Sequence, residues 1–180
     1  FVYKLLKRSP DKVRAELDEI QKLAERAMHQ LRTMLFDLRP VILETQGLVA
    51  ALDAYAARLT QTKDFAVHFK IKGTMPELTK KANSALFAII QEAIGNAKKH
   101  ACASNIWLDL EIEGKKLTIS VRDDGVGFDL DGVEANYASR GSLGLINMHE
   151  RAELIGARFD VHTQAGSGTT IRLSKEIETW

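Results

Sequence analysis

The sequence predicts an α+β fold preceded by a helical segment. Long stretches with apolar residues three and four apart occur alongside short stretches that alternate apolar and polar. Two of the short stretches, Ile106–Ile112 and Lys116–Arg122, flank the turn sequence "EGKK", which reads as a hairpin. Several strands follow one another without an intervening helix, which argues against a strictly alternating parallel fold.

The elements follow in chain order. Phe1–Arg8, with Phe1, Val2, Leu5 and Leu6, reads as the end of a helix that begins before Phe1. Asp11–Arg39 reads as one helix, with Pro10 in its first turn and Pro40 stopping it. Its apolar residues Leu17, Ile20, Ala24, Ala27, Leu31, Met34 and Leu38 are spaced alternately three and four apart. That is the heptad seam of coiled coils and four-helix bundles. A further helix, Leu48–Leu59, gathers Leu48, Ala51, Leu52, Tyr55, Ala56 and Leu59 on one face. These helices define a helical unit over 1–60 and a second unit over 61–180. In the second unit "FAVHFKI" alternates as a strand, and Pro76 opens a helix running to about Ala101. After the hairpin come a polar loop, a helix from about Leu143 to Ile155, and the strands Arg158–Gln164 and Thr169–Lys175.

Composition narrows the function classes. A formal net charge of +1 over 180 residues gives no reason to expect nucleic acid or an anionic membrane as the main partner. No apolar run approaches the roughly 18 residues of a membrane span. A cytoplasmic setting is expected, with any membrane attachment lying outside this sequence. The single cysteine, Cys102, excludes a disulfide framework and a cysteine-rich metal site. It reads as a small buried apolar residue.

Four segments carry chemistry. "VRDDGVGF" ends a strand in two mutually repelling acids and then two glycines, and such glycines mark a close approach to backbone. "ALFAIIQEAIGNAKKHA" holds a core stripe, Leu86, Ile90, Ala93, Ala97 and Ala101. Beside it Glu92, Asn96, Lys99 and His100 share a second side. Gly95 and Asn96 are weak helix formers in mid-helix, so something other than helix stability selects them. An amide oxygen and a carboxylate are hard ligands suited to Mg²⁺, and a lysine and a histidine one turn on can meet phosphate. A solvated helix face with an incidental asparagine is the plainer reading. In "RGSLGLINMHERAELIG", Gly141 and Gly144 lead into a helix with the apolar face Leu145, Met148, Ala152 and Ile155. Glycines at a helix N-terminus let phosphate oxygens reach free N–H groups. "GSGTT" by itself is a hairpin turn. His149 reads as an ordinary surface residue, and His68 and His162 as structural.

In this order, "EAIGNAKKHA", "DDGVGF", "GSLGL" and "GSGTT" resemble the N, G1, G2 and G3 boxes of one ATP-binding domain. Gyrase, Hsp90, MutL and histidine kinases share that domain, and the resemblance covers about Leu78–Leu173. Upstream, "ELDEIQKLAERAMHQLRTMLFDLRP" resembles the second dimerisation helix of one sensor histidine kinase branch. That branch includes nitrate sensors and the membrane-fluidity thermosensor.

The resemblance implies a two-layer α/β sandwich, a mixed sheet with helices on one face. It implies that Asp123 accepts from the adenine amine and that Gly125 and Gly127 let backbone lie against base and sugar. Asp124 is given no direct contact. Asn96 matches the Mg²⁺ ligand, Glu92 the acid one turn earlier, and Lys99 and His100 residues near the phosphates. Gly141, Gly144 and Leu145 match the G2 box, at a phosphate-binding lid spanning Asp129–Ser142. Thr169 matches the G3 threonine near adenine. Glu92, Asn96 and Lys99 are the implied catalytic residues, with Glu92 either orienting Mg²⁺-bound water or helping to deprotonate the acceptor.

The implied function is the catalytic core of a two-component sensor histidine kinase. Such a kinase moves the γ-phosphoryl of Mg-ATP to a histidine, from which a response-regulator aspartate takes it, and it works as a homodimer. None of the five histidines fits the acceptor, a histidine followed by an acid on a first dimerisation helix. His29 lies in the second helix, and His149, though followed by Glu150, lies in the G2 helix. The acceptor is therefore expected ahead of Phe1. An ATPase or anti-sigma-type serine kinase on the same fold is the first alternative; the heptad helix and "FDLRP" argue against it. A non-catalytic dimerisation module is the second; Asn96, Asp123, Gly125 and Gly127 argue against that.

Overall fold

A computed structural model describes Leu17, Ile20 and residues 41–61, 65–129 and 140–177. Leu17 and Ile20 are helical and exposed. The rest of the expected heptad helix lies outside the described residues, as does most of the expected lid.

A compact unit begins at Ile42. Its elements are α1 (Val41–Thr45), α2 (Gly47–Thr60), β1 (Ala66–Lys72) and α3 (Lys80–Asn96). A π-helical turn (Ala97–Ala101) follows, then β2 (Asn105–Glu113), β3 (Lys116–Asp123), α4 (Arg140–Glu153), β4 (Ala157–Thr163) and β5 (Thr169–Glu176). The strands form one sheet in the order β1-β2-β3-β5-β4. Only the β1–β2 pair is parallel, with α3 in the crossover between them. This is the mixed sheet expected.

Alternation decides which way the sheet faces. Ile106, Leu108 and Leu110 of β2, Leu117, Ile119 and Val121 of β3, and Ile171 and Leu173 of β5 are buried. Register sets them side by side, Leu108 against Val121 and Val121 against Ile171. The row meets Leu86, Ile90 and Ile94 of α3 and Met148 and Ala152 of α4 in one core. The intervening residues, such as Asp109, Ser120 and Arg172, form the other, polar face. Trp107 lies on that face, with the Arg122 guanidinium 4.1 Å from its ring centre and the His68 ring stacked at 5.7 Å. His68 Nε2 also donates to Asn105 Oδ1 at 3.1 Å, a structural role as expected.

Two boundaries differ from expectation. The helix expected from Pro76 starts at Lys80, because Thr79 is its cap: Thr79 Oγ1 accepts from the Ala82 N–H at 3.1 Å. And α2, expected to close the helical unit at 60, packs into the core of the sheet unit. Leu48, Leu52, Tyr55 and Leu59 are buried there, α2 lies against β1 and α3, and Tyr55 meets Phe87 edge-on at 5.9 Å. No helix among the described residues is long and apolar enough to cross a membrane.

Candidate functional site

Asp123 ends the inner row of β3, opposite Ile106, where the alternation calls for an apolar side chain. At 8% exposure it is the one buried acid among the described residues. Its Oδ1 accepts from the N–H groups of Gly125 at 2.9 Å and Thr169 at 3.3 Å. Its Oδ2 accepts from no described residue. Burial pushes the carboxyl above the ordinary range; the two amides oppose this, and repulsion from Asp124 adds to it.

Asp124 points the other way and is exposed. Its Oδ1 accepts from the N–H groups of Ser104 and Asn105, at 2.8 and 2.9 Å, and its Oδ2 from Asn105 Nδ2 at 2.8 Å. The Asn105 side chain and these amides hold it below the ordinary carboxylate range. One acid braces the ends of β2 and β3; the other faces a cavity.

That cavity has a volume of about 230 Å³ and is mostly apolar. Ala93, Ala97 and Ala101 form one side, with Asn96 and His100 beside them. Val121, Ile171, Leu145 and Phe128 form the others, and Asp123 and Thr169 supply polar groups. The sequence reading took the alanines only as core stripe. Their repeated smallness at successive turns is the signal that they leave room.

The glycines after Asp123 answer to the protein's own chain. A Cβ on Gly125 would collide with the Ala101 carbonyl oxygen and stand 2.5 Å from the Ala101 Cβ. Val126 N–H donates to that same oxygen at 2.8 Å. Gly127 has φ +58°, and a Cβ there would collide with the Gln164 carbonyl oxygen and stand 2.8 Å from that of Gly168. The sequence expectation placed base and sugar at both glycines. The structure places backbone against both, and of the two only Gly127 also lines the cavity.

The four-residue stripe of α3 divides. Asn96 and His100 line the cavity; Glu92 and Lys99 do not. The π-helical turn explains Lys99: each residue there advances by less than the 100° of an α-helix, so Lys99 rotates off the face that Asn96 occupies. Both arms of the Asn96 amide lack a hydrogen-bond partner among the described residues. The turn ends at Cys102 with φ +51°, and this cysteine is exposed rather than buried. A left-handed residue closing a helix stands outside the face that the helix packs.

Gly141 and Gly144, expected to lead into α4, both lie within it. A Cβ on Gly144 would stand 2.7 Å from Glu92 Oε1 and 3.3 Å from Asn96 Nδ2. Gly144 therefore lets the start of α4 lie close over Glu92 and Asn96. His149 is a surface residue as expected, 3.7 Å from Glu153 Oε1.

Thr163 went unread in the sequence. It follows Ala157, Phe159 and Val161 on the inner alternation of β4, so a polar residue there was a legible signal. Its Oγ1 accepts from the Phe128 N–H at 3.0 Å and lies 3.2 Å from Thr169 Oγ1.

Residues 82–179, which hold every wall of this cavity, match the model of the Histidine kinase-, DNA gyrase B-, and HSP90-like ATPase family. The chain belongs to that family. The domain that defines the family binds ATP. A second family model, described as Histidine kinase, matches residues 2–43. An uncharacterized sensor-like histidine kinase of Chloroflexus aurantiacus is 43% identical over 99% of this chain and 30% of its own length. The signal transduction histidine-protein kinase/phosphatase DegS of Brevibacillus brevis is 30% identical over 94% of this chain and 42% of its own. The chain thus spans less than half of either relative. Among solved structures, the histidine kinase domain of the Erythrobacter litoralis EL346 blue-light activated histidine kinase superposes with a TM-score of 0.56. It is 20% identical, over 72% of this chain and 61% of that one, a likeness of fold.

Proposed function

We propose that this chain is the catalytic part of a two-component sensor histidine kinase, with Mg-ATP bound in the cavity beside Asp123. The observation that carries the reading is a buried carboxylate whose free oxygen faces a mostly apolar cavity. Such an oxygen suits the exocyclic amine of adenine, while the alanines and Ile171 suit the faces of the ring. The unpartnered Asn96 amide, one helical turn after Glu92, offers one hard oxygen of the kind Mg²⁺ takes beside phosphate and water. Bound there, the cation would neutralise charge on the phosphate oxygens during transfer. His100 meets the nucleotide at the cavity wall. Lys99, exposed and unpaired among the described residues, reaches toward the phosphates on its flexible stem. Glu92 orients Mg²⁺-bound water or helps to deprotonate the acceptor. The match over residues 2–43 supports a dimerising helical segment. None of the five histidines stands before an acid on a first dimerisation helix, so the acceptor is assigned to residues outside this chain. The phosphoryl group then passes to a response-regulator aspartate, in the cytoplasm.

Phosphoryl transfer of this kind rests on positioning and electrostatics, so the residues and the acceptor are separable by experiment. Incubated with γ-labelled ATP, the present chain is expected to bind the nucleotide and stay unlabelled. A longer protein that includes the first dimerisation helix is expected to take up acid-labile, base-stable label, and Asn96→Ala in it to abolish that label. Stoichiometric phosphohistidine on His29, His68, His100, His149 or His162 of the present chain would overturn the assignment of the acceptor.

A further inference from the structure

We infer that Thr163 is a positioning residue that fixes Thr169's hydroxyl as a hydrogen-bond donor toward the base and so favours adenine over guanine. The inference rests on the nucleotide reading above.

Three inner-row strand positions at one end of the sheet are polar where their neighbours are apolar: Asp123, Thr163 and Thr169. Thr163 and Thr169 are a register pair of β4 and β5. Thr169 N–H donates to Asp123 Oδ1, and both residues line the same cavity. Thr163 does not line the cavity and acts through others.

A hydroxyl has one hydrogen and two lone pairs. At Thr163 one lone pair takes the Phe128 N–H. Its hydrogen can go to Thr169 Oγ1 at 3.2 Å, to the Gly168 carbonyl at 3.2 Å or to the Phe128 carbonyl at 3.4 Å. When it goes to Thr169, Thr169 must turn its own hydrogen elsewhere, and the cavity is the open direction. The site then shows an acceptor, Asp123 Oδ2, beside a donor, Thr169 O–H. Adenine's pairing edge shows the complement, an amine donor beside a ring-nitrogen acceptor. Guanine shows the reverse order, an oxygen acceptor beside an N–H donor, and leaves both protein groups facing like partners. Buried polar groups facing the wrong partner are a strong source of discrimination. Without the Thr163 hydroxyl, Thr169 can rotate to offer either a lone pair or its hydrogen.

The test is calorimetry of this chain with Mg-ATP and with Mg-GTP, for the parent and for Thr163→Val, Thr163→Cys and Thr163→Ser. The parent is expected to prefer ATP. Valine keeps the shape and removes the hydroxyl. It should lower ATP affinity about five- to tenfold, the effect of one ordinary hydrogen bond, and shrink the ATP-to-GTP ratio by a similar factor. Serine should keep both. Cysteine, a weak donor of similar bulk, should behave as valine and serves if the valine variant does not fold by thermal melting. A purely structural role, acting through the Phe128 anchor, would weaken ATP and GTP alike and leave the ratio in place. An unchanged ratio in a folded valine or cysteine variant overturns the inference, as does a serine variant that behaves like valine. A parent that binds ATP and GTP equally also overturns it, and a parent that binds neither overturns the ATP reading with it.

Discussion

On the proposed reading, Asp123 serves two states that want opposite charge. In the empty chain its burial favours the neutral acid, so the folded form holds the proton more tightly than the unfolded chain does. Its effect on stability is therefore most favourable below the ordinary carboxylate range and declines as pH rises through the raised folded value. On the proposed reading, adenine at this site wants the ionised form, because a protonated acid would set a donor against the amine. ATP binding should tighten over the same rising window, with proton release on binding inside it. Asp123→Asn separates the two demands. Its side-chain oxygen can still accept from Gly125 and Thr169, but the remaining arm is a donor. ATP binding should weaken by about 1.5–3 kcal/mol, the scale of a charge-assisted hydrogen bond, while the melting temperature of the empty chain at neutral pH holds or rises. Calorimetry and thermal melting on one preparation check both, and undiminished ATP affinity in the variant would remove adenine from Asp123.

Among the elements, the strands were legible because one face is buried and the other is wet: Leu117, Ile119 and Val121 alternate with Thr118, Ser120 and Arg122. Asp123 stood out for another reason, as one of two adjacent acids ahead of two glycines; its place on the apolar beat is what buries it. The π-helical turn was not legible. Its last carbonyl, that of Ala101, takes the Val126 N–H, a contact between segments far apart in sequence, and no local pattern announces the turn. That turn is what carries Lys99 off the Asn96 face. The glycines of α3 and of the loop after β3 should then respond in opposite ways. Gly95 has open space where a Cβ would go and sits in α3, so Gly95→Ala should stabilise by about 0.5–1 kcal/mol with ATP affinity unchanged. Gly125→Ala forces backbone against backbone at Ala101 and should cost about 1–3 kcal/mol, with loss of ATP affinity. Urea unfolding with and without nucleotide measures both. A destabilised Gly95→Ala would mean that the α3 backbone there is not relaxed helix.

For the whole molecule, the boundary expected at 60 followed a real change in sequence character, from helical periodicity to alternation. Packing ignored it. Leu48, Leu52, Tyr55 and Leu59 complete the core of the sheet unit, and Thr60 Oγ1 accepts from the Val67 N–H of edge strand β1 at 3.3 Å. Burial of such side chains contributes about 1.5–3 kcal/mol each. Four together rival the roughly 5–15 kcal/mol of a whole domain. A fragment of residues 42–180 should therefore fold and bind ATP, whereas one of residues 61–180 should aggregate or lack cooperative melting. Circular dichroism melts of the two fragments decide this, and a stable, nucleotide-binding 61–180 would restore the boundary to 60.

The cavity's walls come from four parts of the chain, 93–101, 121–128, Leu145 of α4 and 169–171. The Val126 N–H on the Ala101 carbonyl fastens the first two, and the Phe128 N–H on Thr163 fastens the second to the β4–β5 end that holds the last. No partly opened form that releases one stretch can keep this cavity complete. Occupancy of the cavity is thereby coupled to the cooperative unit that these contacts hold together. Saturating nucleotide raises the free energy of global opening by RT ln(1 + [L]/Kd), and protects equally the amides of strands that never touch it.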